Sequence, residues 1–334
     1  MKIFISGVAG FLGSHLADRM ISLGHEVIGT DNMIGGYEDN VNPKVIMNTY
    51  DCKYRNSMAK ITKGCDVIYH CASTPYEGLS VFSPHLITEN TYQITMSLLS
   101  AAIENKVKRF VFCSSMARYG AQPKLPFTED VVCNPVDPYG IAKYASEITI
   151  SNLSKVHDFE YVIAVPHNII GPRQKYDDPF RNVAAIMINL MLQGRQPIIY
   201  GDGEQKRCFS FIQDDIDCLE KLAFNKNVVG ETINIGPDEE FVTINELARV
   251  IAKLINFDLK PLYLPDRPME VKLAGCSAEK ARKLLNYGTK FTLEQGIGEM
   301  IEYIRSRGTK AFRYHLDIEI RNDKTPRSWT EQLF

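Results

Sequence analysis

A chain of 334 residues is longer than one ordinary hydrophobic core supports, so a large domain with a smaller lobe is expected. Apolar residues at 45% and charged residues at 23% are the balance of a globular protein. A formal net charge of -2 gives no electrostatic reason to expect nucleic acid or an anionic membrane as partner.

The first half alternates short apolar runs with longer amphipathic ones. Residues 2–6 read as a buried strand, 12–23 as a helix stopping near Gly24, and 26–30, 45–50 and 66–71 as further strands. A long helix at 85–105, a strand at 109–114, a helix at 139–157 and a strand at 160–166 follow. This order predicts an α/β fold, a doubly wound parallel Rossmann sheet covered on both faces, with a smaller C-terminal α/β substrate-binding lobe. Beyond Asn168 the pattern changes: a turn-rich loop at 171–179 precedes a helix at 182–192. Short strands are expected around Ile198, Phe209 and Ile233, and helices at 243–255 and 293–305. The expected domains are residues 1–171, with segments near 208–235 returning to it, and 172–308. Residues 309–334 read as a surface extension of unknown role, with a tail packed on a neighbour as the alternative.

The eight cysteines are scattered without a Cys-x-x-Cys pair, so neither a disulfide framework nor a metal site is expected. The N-terminal run reads as a strand rather than a leader, and no apolar stretch approaches membrane-spanning length. A soluble, cytoplasmic protein is the expectation.

The chemistry begins at Gly7-Val-Ala-Gly10-Phe11-Leu12-Gly13, which lies between a strand and a helix. Glycines permit a tight turn and close approach of backbone to a pyrophosphate, while the helix N-terminus favours its charge. Asp31 ends the second strand, at the distance where an acidic side chain takes the adenosine ribose hydroxyls. Its charge would repel a 2′-phosphate, so NAD is expected rather than NADP. Downstream, Tyr139-Gly-Ile-Ala-Lys143 puts a phenol and an ammonium one helical turn apart. The ammonium is expected to lower the pKa of the phenol toward neutrality, fitting it to take a hydroxyl proton while hydride leaves the same carbon.

Together with Asp66-Val-Ile-Tyr-His-Cys-Ala72, Asn90, Ser114-Ser115, Gly171-Pro-Arg-Gln174, the run 201–207 and Arg267-Pro268, these residues resemble the extended short-chain dehydrogenase/reductase family. The resemblance is to its nucleotide-sugar epimerase and dehydratase branch, closest to UDP-glucose 4-epimerase-like proteins, and covers roughly residues 1–305. It implies that Ser115, Tyr139 and Lys143 are catalytic, with Ser115 bonding the sugar hydroxyl and Lys143 also holding the nicotinamide ribose. It further implies that Asp51 holds the adenine amine, and that Asn32, Cys52, Ala72, Asn90 and Pro166 line the cofactor. Arg207 and Arg267 match the positions that grip the nucleotide diphosphate, where guanidinium groups suit phosphate oxygens. Asn168 and Asn182 match phosphate or sugar contacts, and Glu270 a nucleoside ribose. Arg173 and Arg181 remain uncommitted, and His167 reads either as an acid/base or as a structural histidine.

The branch shares oxidation at C4 to a 4-keto sugar. Its 4,6-dehydratases carry Asp-Glu where this chain has Met116-Ala117, its decarboxylases a Glu and its 3,5-epimerases a Cys at the position of Ala117. The reaction that needs no further acid or base is 4-epimerisation of a nucleotide-linked hexose. The alternatives are a C4 dehydrogenase or other keto-forming enzyme on a GDP- or dTDP-sugar, and a non-catalytic NAD-binding regulatory protein. Ala274, at a position that the resemblance ties to pocket size, would leave room for an N-acetyl group. The resemblance also implies a homodimer formed through the helices at 85–105 and 139–157.

Overall fold

The computed structural model describes residues 1–122 and 124–334. Six strands form in chain order: β1 (Lys2–Ser6), β2 (Glu26–Thr30), β3 (Ile46–Asn48), β4 (Val67–His70), β5 (Arg109–Cys113) and β6 (Glu160–Pro166). A later strand, Thr232–Ile235, returns to pair with β6. The seven run parallel in the order Thr232–Ile235, β6, β5, β4, β1, β2, β3. The alternation of side chains shows why the sheet is covered on both faces. Ile3, Ile5, Val67 and Tyr69 enter one buried cluster, with Val111 and Val162. Phe4, Ile68, Phe110, Phe112 and Ile163 enter the opposite one.

Strand order reverses between β1 and β4, and this is where an open α/β sheet forms a crevice beyond its carboxyl ends. The expected boundaries differ most in the long helix at 85–105. It is a helical path of Pro84–Thr88 and Ile94–Glu104 joined through a wide π turn at Glu89–Gln93. Helices Arg55–Ile61, Ile212–Leu222 and Glu279–Leu285 were not anticipated. The strand expected near Phe209 is Ser210–Phe211, paired with Ile169–Ile170.

A further core lies between helices Val183–Leu192, Ile244–Ile255 and Leu293–Arg307, where Met187, Leu247 and Ile301 are buried. Thr243 starts the second of these with a reciprocal cap, its hydroxyl accepting from Glu246 N while that carboxylate accepts from Thr243 N. Residues 309–334 are not the plain surface extension expected. Leu316 and Trp329 are buried in an aromatic cluster with Tyr76, Tyr139 and Phe180. Apolar burial of this kind overrides the mixed polar composition that made the segment read as solvated. Among the described residues no helix is long and apolar enough to cross a membrane.

Candidate active site

A cavity of about 490 Å³ opens at the carboxyl ends of the central strands. The glycine loop follows β1 at its floor. Gly7 has φ +74°, and a Cβ there would lie 2.9 Å from the Ala72 Cα at the end of β4. A Cβ on Gly13 would lie 2.2 Å from the Gly7 carbonyl oxygen. The crossing of the two strand ends is therefore closed to any side chain, leaving backbone and the N-terminus of helix Phe11–Ser22 facing the cavity.

At the end of β2, Asp31 is buried and accepts from Ala9 N at 3.0 Å and Met33 N at 2.8 Å. Burial raises its pKa above the ordinary range, against the pull of these amides. Asn32 donates to the Asp51 carboxylate at 3.2 Å, and Asp51 also accepts from Lys53 N at 2.9 Å. Cys52, Phe11, Leu12, Gly10 and Pro166 border the same space. Asn90 sits inside the π turn and donates to Leu86 O at 3.0 Å. The strand-end crossing without side chains, the helix N-terminus and a buried acid beyond it fit the pyrophosphate and adenosine ribose of NAD.

On the far wall, Ser115 follows β5 and caps a short 3-10 turn, accepting from Ala117 N at 3.2 Å. Tyr139 and Lys143 lie on helix Pro138–His157, whose first turn is capped by Asp137 accepting from Gly140 N at 2.9 Å. Lys143 is buried and donates to Cys113 O at 2.8 Å, with its nitrogen 5.8 Å from the Tyr139 ring centre. Burial lowers its pKa to about 8, although Cys113, Cys71 and Glu147 pull the other way. The expected lowering of the Tyr139 pKa is not found. Burial pushes it up, the Glu77 carboxylate adds to this, and Arg181, Ser115 and Asp137 contribute smaller effects of both signs. Lys143 lies at ring distance but directs its charge at a carbonyl, and burial of the phenol dominates.

Toward the second lobe, Arg267 pairs with Glu270 at 2.9 Å and lies over the Tyr200 ring at 4.8 Å. Arg207 reaches the other Glu270 oxygen at 3.7 Å. Burial would raise the Glu270 pKa, but the two guanidinium groups and Lys272 hold it below the ordinary range. Asn182 stands at the start of helix Val183–Leu192, and Asn168 turns its amide to Cys208 O at 3.0 Å. All the residues expected to bind cofactor or substrate, or to act in catalysis, line this one cavity, as does Ala274. His167 does not line it. Its ring bonds Pro237 O at 3.0 Å and occupies the space a Cβ on Gly236 would need, so it is a structural histidine.

Three ionisable groups near Tyr139 were not assigned from sequence. Glu77 is an exposed carboxylate on the cavity wall, and Arg181 lies 5.7 Å from the Tyr76 ring. Asp137 has its pKa raised to about 6, by burial first and then by Glu77. Only Asp137 carried a local signal, an Asp directly before Pro138 at a helix start. Among the described residues no group of three or more His, Cys, Asp or Glu side chains is placed to hold a metal.

Comparison with known proteins accords with this geometry. A protein of Methanocaldococcus jannaschii, provisionally named a UDP-glucose 4-epimerase, is 32% identical over 309 residues, covering 91% of this chain and 98% of its own. The crystal structure of a UDP-glucose 4-epimerase with UDP-glucose from Thermotoga maritima superposes with a TM-score of 0.87 at 29% identity, covering 92% of this chain and 99% of that one. The UDP-glucuronic acid 4-epimerase from Bacillus cereus, in complex with UDP-glucuronic acid and NAD, gives a TM-score of 0.85 at 28% identity, covering 92% of this chain and 100% of that one. The model of the NAD dependent epimerase/dehydratase family matches residues 3–236, which hold the glycine loop, Ser115, Tyr139 and Lys143. With cofactor crevice, phenol and ammonium in one cavity, the chain belongs to the NAD-dependent epimerase/dehydratase family, and NAD is its cofactor.

Proposed function

We propose that this protein inverts C4 of a nucleotide-linked hexose, a UDP-glucose/UDP-galactose pair or their N-acetyl forms, through a transient 4-keto sugar. The observation that carries the reading is the meeting of Ser115, Tyr139 and Lys143 with the glycine crevice, beside Met116 and Ala117, which cannot exchange protons. NAD, when bound, supplies the acceptor and the donor of a hydride. Tyr139 takes the proton of the C4 hydroxyl as the ketone forms and returns it when the ketone is reduced from the other face. Ser115 bonds the same oxygen and orders it toward the phenol. Lys143 holds the nicotinamide ribose and keeps positive charge near the phenolate.

Gly7, Gly10, Phe11, Leu12 and Gly13 would hold the pyrophosphate. Asp31, Asn32, Asp51 and Cys52 would hold the adenosine end, with Ala72, Asn90 and Pro166 along the rest. Arg207 and Arg267 grip the diphosphate of the sugar donor, with Asn168, Asn182 and Glu270 around its sugar and ribose. This anchoring of the non-reacting part leaves the keto sugar free to turn over without leaving the site. In this reading residues 1–171, with 208–235, hold the cofactor, and 172–308 mainly hold the nucleotide sugar. Ala274 is small and faces the cavity, which suits an N-acetyl substituent. Eight free thiols suit a reducing compartment such as the cytoplasm. Two copies would pair through helix Pro138–His157 and its neighbour Ile94–Glu104, since Ile141 and Ile148 stand exposed two turns apart on the first.

Incubation with UDP-, GDP- and dTDP-linked hexoses in heavy water tests the reading. One of them, with UDP-glucose and UDP-N-acetylglucosamine foremost, should be inverted at C4 with no NADH accumulating and no deuterium entering C3 or C5. A released keto sugar, or deuterium at C5 through Glu77, would contradict it in favour of a keto-forming enzyme. Turnover of UDP-glucose without the N-acetyl sugar would remove the role given to Ala274.

A further inference from the structure

The three relatives described above match over 98–100% of their own chains and leave 8–9% of this one uncovered, and residues 309–334 are 26 of 334. This segment leaves helix Leu293–Arg307 and is tied down along its length. Lys310 N donates to Asn189 Oδ1 at 3.1 Å, and Ser83 Oγ to Asp317 O at 2.7 Å. The Glu319 carboxylate accepts from His85 N at 3.0 Å and Leu86 N at 2.7 Å, capping the helix Pro84–Thr88. The first turn of the path expected at a dimer interface therefore has its N–H groups satisfied by this chain itself.

The segment then returns to the cavity. Ser328 is fully buried and its hydroxyl bonds the Tyr200 hydroxyl. The Tyr200 ring is the face on which the Arg267 guanidinium lies, a cation–π contact of a half-buried side chain. Trp329 closes the other side. It is buried, donates to Pro179 O at 3.2 Å, and lies 3.6 Å from where a Gly78 Cβ would be, a point itself 3.2 Å from Arg267 Nη1. Arg267 is thus held between the Tyr200 ring and the bare Gly78 backbone, and both supports are backed by consecutive residues of the C-terminal segment. Phe334 ends on the cavity wall.

We propose that residues 309–334 form a strap belonging to the substrate site, in which Ser328 and Trp329 position Arg267 for the diphosphate of the nucleotide sugar. The inference rests on the proposed nucleotide-sugar reading. Ser328 and Trp329 are positioning residues, acting through Tyr200 and Gly78 and not through the substrate.

The test is a calorimetric titration of the NAD-loaded full chain with UDP, GDP and dTDP, alongside Ser328→Ala, Trp329→Ala and Trp329→Phe. For the diphosphate that the unaltered protein takes, loss of one neutral hydrogen bond in Ser328→Ala should weaken binding about three- to tenfold. Trp329→Ala should weaken it further and Trp329→Phe recover most of the loss, with bound NAD unchanged in all three. Equal diphosphate affinity in the Ser328→Ala protein, which removes a single hydroxyl and keeps the packing, would overturn the strap alone. So would a parallel loss of NAD affinity, since that is the mark of general loosening. Binding of none of the three diphosphates by the unaltered protein would overturn the nucleotide-sugar reading, and the strap with it.

Discussion

Tyr139 and Lys143 are one turn apart, yet their charges do not meet in the way that spacing suggests. Nζ of Lys143 bonds a backbone carbonyl of β5, and the phenol is enclosed by the cluster containing Tyr76, Phe180 and Trp329. Burial therefore raises the phenol and lowers the ammonium together, because both charged forms lose water. Conversion of Tyr139→Phe keeps the packing and removes the proton acceptor, so turnover should fall by about 10²–10⁴-fold with bound NAD retained. Initial rates and the cofactor content of the purified protein check this; undiminished turnover would remove Tyr139 from its role. Lys143 gives a second expectation. Its folded pKa of about 8 lies below the ordinary value of 10.5, so the folded state holds fewer protons between these two pH values. Stability from this group therefore rises with pH across that window, and its cost is fully present below the folded pKa. Lys143→Met should gain on the order of 1–3 kcal/mol at about pH 7 while losing activity, a gain that shrinks toward about pH 10. Denaturant unfolding at both pH values measures it, and an equal difference at both would contradict the titration.

At the scale of elements, the legible parts were those written in a few adjacent residues. The alternation in Lys2–Ser6 and the glycine spacing that follows identify a strand, a turn and a helix without help from the rest of the chain. Gly7 shows how local that is: its positive φ, and the 2.9 Å at which an added Cβ would meet the Ala72 backbone, fix both turn and crossing. Gly7→Ala should therefore cost stability, by roughly 1–3 kcal/mol for the strained φ alone, and empty the cofactor site. Thermal unfolding and NAD content read both effects, and a variant that keeps full NAD would place the cofactor elsewhere. What sequence did not disclose depends on distant contacts. The π turn around Asn90 has no composition signal, since Glu89–Gln93 would sit equally well in a regular helix. Glu77 and Arg181 come together at Tyr139 only because the short helix Glu77–Ser80 after β4 and the loop before helix Val183–Leu192 converge there. The burial of Trp329 needs Phe180 and Phe82, which lie far from it in the chain.

Across the whole molecule, the parallel sheet sets where chemistry is possible. Its switch point between β1 and β4 opens the crevice, and β5 with helix Pro138–His157 brings Ser115, Tyr139 and Lys143 to the crevice's edge. The second lobe and the strap then enclose the remaining side, so one cavity holds residues from both ends of the chain. If two copies pair through Ile141 and Ile148, a double Ile141→Glu, Ile148→Glu protein should sediment as a monomer where the unaltered one is a dimer. Identical sedimentation of the two would exclude that face. The central claim is that hydride leaves C4 and returns to C4 within one closed site. It is tested most directly with the nucleotide hexose deuterated at C4. The inverted product should carry the deuterium at C4, with no NADH accumulating. Loss of the label from the product, or its recovery in released reduced cofactor, would contradict the claim.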